Sequence, residues 1–306
     1  SSGPGSRAGH EAASDFGYKL RPMPVLVSLL LAASPDAGVL LSRPVQVSAD
    51  RLEVLNREQR AIYTGHARAI RDTTTLTCDV ITVEYGANRE VSRILARGHV
   101  EAVDGDRWAR GDEADYDNLT GTLVVRGKPE ARQGKREVQG ELVTFVTGTD
   151  RVIVDRARTR VDDAQAPSRD GGTEQGPQRI TIDADRLVLD EQRSRADWTG
   201  HVVARRGDTT ITAPRLTALY DDAGTITKVQ ARGGVEATEK DRWAQGQKGD
   251  YDVQTGVLVV TGQPQARQGT SRMKGSKVTF FSGSDFLEVE NATTVIEVRQ
   301  KPSGKR

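Results

Sequence analysis

Apolar and polar residues alternate through most of the chain. Leu76-Thr77-Cys78, Ile81-Thr82-Val83-Glu84-Tyr85 and Val143-Thr144-Phe145 keep a period of two, and Val152-Ile153-Val154 is a short apolar run. That period places every second side chain on one face of a strand. No window of 11–18 residues beyond the leader holds a 3.6-residue period, and Thr, Val and Ile are abundant. The pattern predicts an all-β chain, mainly antiparallel. The apolar parity also slips at small residues. It changes after Ala49 in Val47-Ser48-Ala49-Asp50-Arg51-Leu52, and after Cys78 in Leu76-Thr77-Cys78-Asp79-Val80-Ile81. A slip would turn side chains to the wrong face unless a bulge or bend absorbs it. Corners are therefore expected at Ala49, Cys78, Gly111 and Gly140, with a second set at Gly65, Gly98 and Gly127. Strands kinked at aligned corners fold over into an elongated, slotted sandwich.

The whole pattern occurs twice. Ala49-Asp50-Arg51-Leu52 recurs as Ala184-Asp185-Arg186-Leu187, Thr64-Gly65-His66 as Thr199-Gly200-His201, Asp106-Arg107-Trp108-Ala109 as Asp241-Arg242-Trp243-Ala244, and Val143-Thr144-Phe145 as Val278-Thr279-Phe280. The offset is always 135 residues, and about 50 identities fall within 117 positions without a gap. The expected organisation is a leader over 1–40, one domain over 45–161, a linker over 162–179, a second domain over 180–298 and a basic tail over 299–306. The linker, rich in Gly, Pro and acids, leaves two arrangements open. Either it loops out while the domain ends pair directly, or the copies act as separate units. In the leader, the nine-residue apolar run Val25–Ala33 follows Lys19 and Arg21. It reads as an export signal or short tether, too short to span a bilayer; a hydrophobic strand is the alternative.

Composition narrows the chemistry. Lys plus Arg number 44 and Asp plus Glu 43 among 306 residues, so no basic stripe calls for nucleic acid. A single cysteine, Cys78, excludes an intramolecular disulfide framework and reads as a small buried residue, since its counterpart is Ala213. No HExxH, GxSxG or phosphate-binding glycine loop is present. His66 and His201 recur in the same Thr-Gly-His and read as turn residues. Asp115/Asp117 and Asp250/Asp252 share a strand face in pairs, a pattern open to a calcium or glycosidase reading but more often a solvated face. Trp108 and Trp243 read as packing or shielding residues, with sugar stacking as the alternative. No metal, cofactor or enzymatic activity is expected.

The ordered set Ala-Asp-x-Leu, Thr-Gly-His, Ala-Arg-Gly-x-Val-Glu-Ala, Asp-Tyr-Asp and Leu-Val-Val-x-Gly-x-Pro resembles the OstA/LptA domain of the lipopolysaccharide-transport system, in both copies. The sequence departs from that pattern in three ways. His66 and His201 stand where the family usually has Asn, Ala213-Pro214 replaces the second Ala-Asp, and there are two domains where the soluble bridge protein has one. The resemblance implies two tandem slotted β-jellyrolls and a non-enzymatic periplasmic carrier. Such a carrier shields lipopolysaccharide acyl chains between inner and outer membranes. It also implies sheet edges that join transport components at either membrane or further copies head to tail.

The candidate slot-lining residues are Val47, Leu52, Val54, Leu76, Ile81, Val83, Ile94, Val100, Leu123, Val125, Val143 and Phe145 in the first copy. In the second they are Ile182, Leu187, Leu189, Ile211, Leu216, Val229, Val235, Leu258, Val260, Val278 and Phe280. Aspartate at Phe145 or Phe280 is expected to remove lipid contact and leave the fold. Two other readings stay open: a structural β-repeat scaffold assembled through its edges, and a carbohydrate-binding β-solenoid.

Overall fold

The computed structural model describes residues 45–71, 73–87, 89–105, 107–133, 136–146, 149, 151–163, 178–221, 226–281 and 286–296. The leader, residues 164–177 of the linker and the basic tail lie outside them. The described residues form strands and turns, without helix.

The first copy contributes β1 (Gln46–Ser48), β2 (Arg51–Leu55), β3 (Arg60–Arg71), β4 (Thr74–Tyr85), β5 (Val91–Asp104), β6 (Arg107–Asp117), β7 (Thr122–Arg126), β8 (Glu130–Gln133), β9 (Arg136–Gln139), β10 (Leu142–Val146) and β11 (Arg151–Asp163). The second contributes β12 (Gln178–Asp190), β13 (Arg195–Arg206), β14 (Thr209–Tyr220), β15 (Ile226–Glu239), β16 (Arg242–Asp252), β17 (Val257–Thr261), β18 (Gln265–Gln268), β19 (Ser271–Lys274), β20 (Lys277–Phe281), β21 (Leu287–Glu290) and β22 (Thr293–Ile296). All 22 belong to one sheet, and every pairing is antiparallel.

Each long strand is bent near its middle, where the sequence parity slips. Between β3 and β4 the pairs jump from Thr64↔Val80 to Ala67↔Cys78, leaving one extra residue on β3. The register shifts between Thr77 and Val80 in β4, between Arg97 and Val100 in β5, and between Arg232 and Val235 in β15. Pro214 sits in such a shift, between Thr212 and Arg215 of the interior strand β14, where its missing N–H interrupts no ladder bond. At Ala49, Gly127 and Gly140 the bend is sharp enough to divide a strand in two. Gly140 is required by close approach: a Cβ there would lie 2.5 Å from Val154 Cγ1 and 2.8 Å from the Asp155 carbonyl oxygen.

On the outer side of the corners a second device repeats. Gly65, Gly98 and Gly200 have φ of 81°, 75° and 75°, and the histidines after them, His66, His99 and His201, have φ of 44°, 49° and 45°. Their Nδ1 atoms lie 2.8, 3.0 and 2.7 Å from the carboxylates of Asp50, Asp79 and Asp185. They lie inside β3, β5 and β13 at the register shifts, so they are bulge residues in the left-handed region, where Asn is also at ease, rather than the turn residues the sequence predicts. A Cβ on Gly98 would meet Asp79 Oδ2 at 2.1 Å and its Cγ at 2.6 Å. Gly98→Ala is expected to lower stability by about 1–3 kcal/mol in urea unfolding, from positive-φ strain and a displaced Asp79. An unchanged midpoint would remove the corner from the account.

Bending every strand folds the sheet into two leaves, and side chains bridge them. Trp198 Nε1, on β13, donates to Thr159 Oγ1 on the opposite half of β11 at 3.1 Å. Arg206 Nη1 donates to Tyr251 Oη at 2.9 Å, and the Arg136 guanidinium lies 5.2 Å from the Tyr220 ring centroid.

The two copies join edge to edge. β11 pairs with β12 from Arg151↔Asp190 to Asp163↔Gln178, so strands enter the predicted linker from both sides and the ends pair directly. Arg158 bonds Asp183 at 2.7 Å across this seam. One apolar core crosses it, running from Ala67 through Val154 and Leu187 to Trp198 and Ala218.

Candidate functional site

The space between the leaves is the candidate site. Of the predicted lining residues, Leu76, Ile81, Val83, Val100, Leu123, Val125, Val143 and Phe145 are buried in the first copy, with Val47 and Ile94 half-buried. In the second copy Ile182, Leu187, Leu216, Val235, Leu258, Val260, Val278 and Phe280 are buried, while Leu189, Ile211 and Val229 are half-buried. Leu52 and Val54 are instead 52% and 60% exposed. The cause is position: among the described residues β2 pairs with β3 alone, whereas the counterpart Leu187 faces β11 and is 0% exposed.

The core is not continuous, and a small cluster of Ala213, Ala231 and Val235 stands apart. A second cluster, built on Ala237, Leu258, Val260, Val278 and Phe280, is separate from the cluster that crosses the seam. Between them lies a cavity of about 360 Å³. Six predicted residues line it: Ile182, Ile211, Leu216, Val229, Leu258 and Phe280. Sequence reasoning missed Val161 and Arg136, which reach it from the first copy, and Arg205, Arg206 and Tyr251 at its rim. Their counterparts give no common signal: Ser271, Ile70, Arg71 and Tyr116 stand where the cavity has Arg136, Arg205, Arg206 and Tyr251. Only the folding of one leaf over the other brings them together.

The other candidates have structural partners. Asp115 receives Arg93 Nε at 2.8 Å and Nη2 at 2.6 Å, and that pairing holds its carboxyl below the usual range. Asp117 accepts the Thr120 amide at 2.8 Å, which lowers it likewise. A general acid needs the opposite shift. The Arg110 guanidinium lies over the half-buried Trp108 at 5.1 Å, and Trp243 Nε1 donates to Glu236 at 2.8 Å. Burial pushes the Cys78 thiol up to about 11, consistent with a packing role. Among the described residues no cluster of three or more His, Cys, Asp or Glu could hold a metal ion, and no helix is long and apolar enough to cross a membrane.

The chain is 32% identical over 101 residues to an uncharacterised protein of Rhizobium meliloti (strain 1021), a match covering 30% of this chain and 54% of that protein. It therefore spans about half the length of that relative. Among solved structures it is similar to LptH, the LptA-homologous periplasmic component of the lipopolysaccharide transport device of Pseudomonas aeruginosa. That match has 20% identity and a TM-score of 0.36, and covers 39% of this chain and 95% of the other. The sequence pattern described as LptA/(LptD N-terminal domain) LPS transport protein matches twice, over 46–151 and 181–286. With both copies matched, the chain belongs to the LptA/LptD N-terminal domain family of lipopolysaccharide transport proteins.

Proposed function

We propose that this chain is a non-enzymatic periplasmic carrier that shields lipopolysaccharide acyl chains between its two leaves on the way from inner to outer membrane. The observation that carries the reading is the apolar cavity of about 360 Å³ held open between the leaves in a member of a lipopolysaccharide transport family. A buried methylene is worth about 0.8 kcal/mol, so an acyl chain of about twelve carbons crossing bare water costs on the order of 10 kcal/mol. A dry slot removes most of that cost without a nucleophile, metal or general base. The outer edges, β1–β2 and β21–β22, join neighbouring transport components or further copies by strand addition. The carbohydrate reading loses support, because Trp108 and Asp115 already have Arg110 and Arg93 as partners.

The experiment must spare the fold. Phe145 and Phe280 are each 4% exposed, so aspartate there buries an unpaired charge and unfolds the protein. Ile211 lines the cavity and is half-buried, which leaves a charge hydrated. Ile211→Asp is expected to cut photo-crosslinking of lipopolysaccharide by about tenfold or more while the β circular-dichroism spectrum persists. Leu119→Asp, at a site 94% exposed, should leave it intact. Equal crosslinking in all three proteins would sink the reading.

A further inference from the structure

The two copies have the same strands, yet their interiors differ. In the first, Val83 on β4 pairs with Ile94 on β5, facing the space between the leaves. The same pair in the second copy is Ala218 with Val229, three carbons smaller, and both residues line the cavity. The difference spreads to their neighbours. Leu76, Ala69 and Tyr116 are 2%, 5% and 3% exposed, whereas their counterparts Ile211, Ala204 and Tyr251 are only half-buried and line the cavity. The first interior belongs to one unbroken core, and the second is split around the opening.

The rim carries charge of one dominant sign. Arg136, Arg205 and Arg206 stand on it, Arg205 paired with Asp183 at 3.2 Å and Arg206 donating to Tyr251 at 2.9 Å, while its one acid, Glu239, is engaged by Arg242 and by Thr209 at 3.3 Å. Arg136 comes from the first copy, so the rim is complete only because the seam is closed. An apolar cavity of about 150 Å³ takes benzene, with six carbons, so a cavity of about 360 Å³ has room for on the order of twelve carbons.

We propose that the copies divide the work unequally. The second is the lipid-holding module, taking one acyl chain of about twelve carbons with its anionic group at the arginine rim. The first is a packed module that completes that rim and extends the chain. The Ala218–Val229 pair sets the division. This inference rests on the carrier reading, and it names which copy carries and what it takes.

The test uses the full chain, titrated calorimetrically with dodecanoate and photo-crosslinked to lipopolysaccharide in parallel. Wild type should bind one dodecanoate, and dodecanol more weakly. Ala218→Val with Val229→Ile, which writes the first copy's residues into the second, should weaken dodecanoate by at least about tenfold without lowering the thermal midpoint. Val229→Ile alone, adding one methylene, should weaken it by a few-fold and serves if the double variant folds poorly. Arg136→Gln should weaken dodecanoate and leave dodecanol unchanged. Unchanged affinity in the filled variants, or two equivalents bound by wild type, overturns the proposal. The two readings fail separately. Lipopolysaccharide crosslinks equal in filled and unfilled proteins keep the carrier and overturn the division. Dodecanoate binding lost on filling, with no lipopolysaccharide crosslink in any protein, keeps the cavity as an acyl site and removes the carrier.

Discussion

Trp198→Ala is expected to remove about 3–5 kcal/mol of stability, and to do so in a single unfolding transition that includes both copies. Trp198 is 1% exposed and among the largest fully buried side chains. Its Nε1 donates to Thr159, itself 6% exposed, on the other side of the seam. Alanine leaves both a cavity and a buried hydroxyl without its donor. The same core cluster holds residues of β3 through β14, so the loss is felt on both sides of β11–β12. Guanidinium unfolding followed by circular dichroism gives the answer. Trp198→Phe, which keeps most of the volume and loses the hydrogen bond, should cost about 1–3 kcal/mol. Two separated transitions in the wild-type chain, or a loss under about 1 kcal/mol for alanine, would mean that the copies are joined by strand pairing alone.

Much of this architecture is written locally in the sequence. The corners at Ala49, Cys78, Gly111 and Gly140 were legible because a parity slip has one physical remedy, an extra residue or a bend, and strand partners share it. His66 and His201 were legible as backbone-bend positions because both copies repeat them after a glycine, whereas His99, whose counterpart is Gly234, was not. The seam was not. Ala49-Asp50-Arg51-Leu52 and Ala184-Asp185-Arg186-Leu187 are the same four letters. Leu187 is covered by β11, while Leu52 has no such strand over it among the described residues, a difference made by chain order and not by residue type. The cavity was equally hidden. Among its lining residues is a cross-strand pair, Ala218 with Val229, three carbons smaller than its counterpart, and the pair exists only once the register of β14 against β15 is known. Arg136 and Tyr251 escaped notice because their role at the rim requires strands far apart in sequence to lie on facing leaves.

Leu52→Asp with Val54→Asp is expected to abolish the end-to-end joining proposed above and to leave the stability of the chain itself within about 0.5 kcal/mol, since both positions are exposed on an outer strand. The seam supplies the template for the joint. Carried over by the 135-residue repeat, its register sets Leu287 opposite Val54, Val289 opposite Leu52, Ala292 opposite Ala49 and Glu290 opposite Arg51. Burying Leu52 and Val54 as their counterparts are buried is worth about 1.5–3 kcal/mol each, so two aspartates should weaken the joint by at least about a hundredfold. One position opposes self-joining. Glu288 falls opposite Glu53, where the seam has Ile153 opposite Val188. Like charges facing across strands are destabilising, so two copies of this chain meet less well than the chain and a partner with a neutral or basic residue there. Glu53→Val with Glu288→Ile removes that repulsion and should drive the chain into end-to-end assemblies in sedimentation velocity. Adding Leu52→Asp and Val54→Asp to that variant should return it to monomer. Assemblies that survive the added aspartates would show that the joint lies elsewhere than on β2.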